Sequence, residues 1–97
     1  LVHNRCGTSY ELSDNQLRNF GHKGKNSGYR VTHGSHENAM DFVLTQTNGL
    51  IEYSPGKYVG YNSRGVEFRI YPRSGYTYTS IRINGVSGLK GIKFIWD

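Results

Sequence analysis

The sequence predicts an α+β domain, with N-terminal helices packed on one face of a twisted four- to five-stranded antiparallel sheet. Three observations carry this. Apolar residues recur at helical spacing in two segments before Asn48. From Leu50 onward the period changes to two, punctuated by turn-forming residues. The connections between these later segments are too short for crossovers, so consecutive strands should pair antiparallel.

Leu1 opens the chain without Met or an apolar h-region, so no signal peptide is expected. Residues 1–9 (LVHNRCGTS) read as a junction ahead of one domain, residues 10–97. Tyr10 to Phe20 reads as a helix. Ser13 is its cap, Gln16 completes a capping box, Leu12, Leu17 and Phe20 give the apolar points, and Gly21 stops it. Residues 21–36 (GHKGKNSGYRVTHGSH) are expected to form a long loop. A second helix starts at Ser35, with Glu37 and Asp41 where the helix dipole favours acids. Ala39, Met40, Phe42, Val43 and Gln46 share its inner face, and Asn48-Gly49 ends it. Strands follow at Leu50–Tyr53, Lys57–Tyr61, Val66–Tyr71, Tyr76–Ile83 and Gly91–Trp96.

Alternation sorts the side chains. Val66, Phe68 and Ile70 share one face with Thr77, Thr79, Ile81 and Ile83, which the helices should cover. The other face should carry Glu67, Arg69, Tyr71, Tyr76, Tyr78, Ser80, Arg82 and Lys93. Tyrosines stack on unpaired bases, and Arg and Lys hold phosphates.

Composition narrows the class. Ninety-seven residues carry 12 Lys+Arg against 7 Asp+Glu, a formal charge of +5, which favours an anionic partner, nucleic acid first. One cysteine, Cys6, excludes an internal disulfide framework. No apolar run approaches the ~18 residues of a membrane-spanning helix, and 13% aromatics argue against disorder. Neither a P-loop nor a dinucleotide-binding glycine fingerprint is present.

Gly21-His22-Lys23-Gly24-Lys25 is the strongest local signal: a histidine between lysines suits acid–base work at a phosphodiester. His33-Gly34-Ser35-His36 is the second. With His22 and Glu37 it offers the ligands a metal-dependent DNase would use, although the order of elements does not match a ββα-metal nuclease. A non-catalytic RNA- or partner-binding module using the Tyr/Arg face is a further alternative. The chain is short for the NAD cleft of an ADP-ribosyl transferase.

Two stretches resemble known families. Leu1-Val2-His3-Asn4 resembles the VHN end of the self-processing Hint domains that precede C-terminal toxins in bacterial polymorphic toxins. Gly65-Val66-Glu67-Phe68-Arg69, followed by Ser74 to Val86, resembles the closing strands of those toxins and of contact-dependent inhibition effectors. That resemblance covers about residues 17–92 and implies a fold like barnase, colicin D or RelE. It also implies a metal-independent ribonuclease without cofactor, acting on RNA, with tRNA first, and neutralised by an acidic immunity protein. The implied setting is a secreted or cell-surface effector acting in the cytoplasm of a target bacterium, in some cases with a host factor, without membrane binding by this domain. Carried over residue by residue, His22 becomes the acid or base and Arg69 the strand cation. Ser80 or Thr79 becomes the active hydroxyl, and alternation favours Ser80. Beyond the carry-over, the reading of the outer face and the basic loop adds Tyr78 to the catalytic group and Lys23, Lys25, Arg82 and Lys93 as substrate-binding residues. The chain ends Ile95-Trp96-Asp97 and lacks the C-terminal histidine of barnase.

Overall fold

The structure, a computed structural model, describes residues 2–4 and 10–97. Strands β4 (Gly49–Ser54), β5 (Lys57–Tyr61), β6 (Glu67–Arg73), β7 (Tyr78–Asn84) and β8 (Gly91–Ile95) form the expected antiparallel meander. Among the described residues, three further strands widen it to eight, in the order β1-β4-β5-β6-β7-β8-β3-β2. The sheet is therefore larger than the four to five strands expected, and it is mixed.

The added strands correct the reading of two segments. Val2–Asn4, taken as junction, pairs with β4 as β1. The rest of that stretch, Cys6 included, lies outside the described residues. Residues 21–36 are not a long loop. They hold β2 (His22–Lys23) and β3 (Tyr29–His33), with β3 running parallel to β8. The alternation in Tyr29-Arg30-Val31-Thr32 is short and flanked by glycines and polar residues. Its ladder partner lies some sixty residues away, so local pattern does not announce it.

The helices keep their predicted N-caps. Helix α1 (Asp14–Arg18) opens with the Ser13/Gln16 capping box, but spans five residues rather than Tyr10 to Phe20. Helix α2 (His36–Gln46) is capped by Ser35, with Asn38 closing a second box. Both lie on one face of the sheet. Leu17, Ala39 and Val43 are fully buried with Phe68, Ile70, Ile81 and Ile92. Phe20, Phe42 and Phe94 bring their rings within 4.7–6.2 Å of one another.

Gln46, assigned to the apolar face, is buried for a polar reason. Its side chain accepts from the Leu12 amide at 2.8 Å and donates to the Tyr10 carbonyl at 3.0 Å, pinning the incoming chain to α2. The strand expected from Tyr76 begins at Tyr78 instead. Ser74–Tyr76 form a 3₁₀ turn, and Thr77 takes a left-handed φ of 59°, uncommon for a β-branched residue.

Candidate active site

The face of the sheet away from the helices is where the basic and aromatic residues gather, as alternation predicts. Ladder partners share a face, so the register places side chains in rows. One row runs Tyr71–Ser80–Lys93–Val31–His22 from β6 to β2. Beside it lies Val59–Arg69–Arg82–Gly91–Tyr29, and on its other side Arg73–Tyr78–Ile95–His33. Gly91 leaves room for the Tyr29 ring: a Cβ there would stand 3.3 Å from that ring.

Tyr29, Arg69 and Arg82 of the second row, with Tyr71 and Arg73 of the other two, line an open groove of about 1180 Å³, walled on one side by the chain from Gly85 to Lys90. Lys57, Arg69, Arg73, Arg82 and Lys90 line it against one carboxylate, Glu67. Cations and rings alternate across the face. Lys57 stands 5.5 Å from the Tyr71 ring, Arg69 5.2 Å from Tyr53, and Arg73 5.0 Å from Tyr76. Lys93 sits between two rings, 5.4 Å from Tyr29 and 4.9 Å from Tyr78.

Glu67 and Tyr71, in the groove, titrate away from their ordinary ranges. Glu67 accepts from the Tyr61 hydroxyl at 2.8 Å and from Arg69 Nε at 3.1 Å. The Tyr61 hydrogen bond is the larger influence, and with Arg69 it overrides desolvation and holds the carboxyl below its usual value. The same contact, with the carboxylate's charge, pushes Tyr61 up. Glu67 thus serves as an anchor that orients Arg69. For Tyr71, burial acts to raise the pKa. Hydrogen bonds with Ser80 and Arg82 and the charges of Arg82 and Arg73 outweigh it, and the phenol is lowered. This part of the face stabilises negative charge.

The histidines fall into two places. His22 and His33 lie on the outer face at the β2/β3 edge, with ring centroids 6.3 Å apart and planes inclined by 28°. His33 Nδ1 is 3.0 Å from Asp97 Oδ1. His36 belongs to the opposite face: its Nδ1 is 2.9 Å from Thr79 Oγ1, which also accepts from Trp96 Nε1 at 2.9 Å. Burial lowers the His36 pKa against the opposing charge of Glu37. The shift favours the neutral imidazole, which shares a hydrogen bond with the Thr79 hydroxyl. His33 and His36, paired in sequence as possible metal ligands, are divided by the sheet. Among the described residues, no group of three or more His, Cys, Asp or Glu side chains is placed to hold a metal.

The expected site residues sort accordingly. Ser80 lies on the outer side of β7 and hydrogen-bonds Tyr71, although it is only 6% exposed, whereas Thr79 is fully buried beneath the sheet; of the two hydroxyls, that of Ser80 is on the side of the basic face. Arg69, Arg82, Lys93 and Tyr78 all stand on the outer face. They do not surround His22, which is three strands from Ser80, about 14 Å at the usual strand spacing. Lys93 is the predicted cation nearest to it along the row.

Lys23 pairs with Arg30 and so points to the other side of β2 from His22. With Lys25, Arg18 and Arg30 it lines a separate depression of about 470 Å³.

Sequence reasoning placed Tyr71 on this face without giving it a role. It missed Tyr29, Tyr53, Lys57 and Arg73, and also Asp97. Alternation across the strands was the signal available for Lys57 and Arg73. Asp97 reaches His33 only through the β3/β8 pairing, which no local pattern marks.

Comparison with protein families, with curated proteins and with solved structures returned no match for this chain.

Proposed function

We propose that this domain is a toxin endoribonuclease of the kind its sequence resembles, with a sheet-and-helix layering related to barnase, colicin D and RelE. It cleaves RNA, with tRNA the first candidate, by attack of a 2′-hydroxyl on the adjacent phosphodiester without a metal. The observation that carries the reading is the outer sheet face. It alternates cations with tyrosine rings across β5 to β3 and ends at an acid–base residue, His22.

Each part has a task. A single RNA strand laid across the groove and the neighbouring outer face stacks its bases on Tyr29, Tyr53, Tyr71 and Tyr78 while Arg69, Arg82 and Arg73 take its phosphates. The separation across the sheet makes Arg69, Ser80 and Tyr78 binding residues for nucleotides flanking the cleaved bond. Lys93 is the cation closest to the histidine edge and stabilises charge developing on phosphorus. The products are a 2′,3′-cyclic phosphate and a 5′-hydroxyl. An acidic immunity protein would neutralise the domain by covering this face through charge complementarity. The setting proposed is a delivered effector working in the cytoplasm of a target bacterium.

The test is incubation of the domain with total tRNA and with plasmid DNA, each with and without EDTA. Cleavage of RNA that persists in EDTA and falls about 10²–10⁴-fold in His22→Ala supports the reading. Cleavage of DNA that EDTA abolishes would replace it with the metal-dependent alternative. Tight RNA binding without cleavage would replace it with a binding module.

A further inference from the structure

Cleavage by 2′-hydroxyl attack needs two proton transfers, one from the attacking hydroxyl and one to the departing 5′-oxygen. His22 can serve one of them. We infer that His33 serves the other, as the second catalytic residue, and that Asp97 is its positioning residue. The inference rests on the ribonuclease reading and adds a residue to it.

Three features of the geometry support the pairing. The two rings share the outer face, at diagonal positions of the β2/β3 ladder, with centroids 6.3 Å apart. A phosphodiester between or just above them can meet both. His33 is anchored through Nδ1 to Asp97 at 3.0 Å, so Nδ1 carries the proton and Nε2 is the working nitrogen. That anchor survives a full cycle, because Nδ1–H donates to Asp97 whether Nε2 is protonated or not. Finally, Lys93 lies one ladder position from Val31, between the histidines and the groove, where a strand bound along the row would pass.

The step balances. One imidazole takes the 2′-O–H proton as the 2′-oxygen bonds to phosphorus. The P–O5′ bond breaks, and the other ring, entering as imidazolium, gives its proton to the 5′-oxygen. No oxidant or co-reactant is needed, and solvent exchange resets both rings.

The test compares wild type, His22→Ala, His33→Ala and Asp97→Ala on two substrates. One is a ribodinucleotide, whose 5′-alkoxide must be protonated to leave. The other is a ribonucleoside 3′-(4-nitrophenyl phosphate), whose phenolate leaves unaided. On the dinucleotide, His33→Ala should slow cleavage about 10²–10⁴-fold, as His22→Ala does. On the nitrophenyl ester one of these two losses should largely disappear and the other persist, which identifies the acid and the base. Added imidazole should restore part of the rate to His33→Ala. Asp97→Ala should lower kcat with little change in KM.

His33 is largely exposed, so its loss leaves the fold intact, as a circular dichroism melt will confirm. Wild-type cleavage with an unimpaired His33→Ala variant overturns the inference and leaves the ribonuclease reading standing. So does relief of both losses, or of neither, on the activated ester. A wild-type domain that cleaves neither substrate nor tRNA overturns both.

Discussion

Thr79→Val separates the two hydroxyls that neighbour each other on β7. Valine matches threonine in shape, so the change removes one oxygen and little packing. That oxygen joins two groups beneath the sheet: it accepts from Trp96 Nε1 at 2.9 Å and stands 2.9 Å from His36 Nδ1. Thr79 is 0% exposed, so no water replaces it. The indole N–H and the imidazole nitrogen each lose a partner. Leaving a buried polar group unsatisfied costs about 1–3 kcal/mol, and both partners here are only partly buried. A net loss of about 2 kcal/mol follows, which lowers Tm by about 8–16 °C in a domain of this size. The assay is a thermal melt read by tryptophan fluorescence, with RNA cleavage measured well below the transition. Cleavage should be unchanged, because the hydroxyl faces the helices. Ser80→Ala acts on the other face: it removes the hydrogen-bond partner of the Tyr71 hydroxyl and should weaken RNA binding. A Tm within about 3 °C of wild type in Thr79→Val would refute the hydrogen-bond junction, and lost cleavage in the folded variant would refute the assignment of faces.

Other consequences are equally open to measurement. His36 has a folded pKa below its unfolded value of about 6.5. Its contribution to stability is whole above that value and is lost as the pH falls toward the folded one, so His36→Gln should flatten the decline of Tm between about pH 7 and pH 5. Arg82→Ala removes a cation from the groove floor. It should weaken single-stranded RNA binding and reduce the slope of log K against log salt by about 0.7, one phosphate's share. Gly91→Ala would place a Cβ 2.5 Å from the Ile81 carbonyl oxygen across the β7/β8 ladder. The backbone cannot yield cheaply, so a stability lowered by about 1–3 kcal/mol is expected, read as a lower urea midpoint with m unchanged.

The parts of this protein legible in its sequence are those set by short-range physics. Ser13 and Ser35 cap their helices because their side-chain oxygens reach amides three residues on, within one turn. Residues such as Phe68, Ile70 and Ile81 reveal the inner face because successive side chains in a strand point to opposite sides. The same rule put Arg69, Ser80, Arg82 and Lys93 together on the outer face before any fold was known.

What tertiary structure decided are the matters that depend on which strands become neighbours. The segment from Gly21 to His36 has weak strand character of its own. Pairing of β3 with β8 makes it part of the sheet, since the ladder hydrogen bonds come from residues far along the chain. That one parallel pairing carries His22 to the sheet edge, three strands from Ser80, and turns Lys23 to the other side. It also joins His33 to Asp97 while leaving His36 beneath the sheet. Alternation along one strand tells which side a residue faces. The distance between two residues on the same side is set by strand order, and strand order is a property of the folded chain.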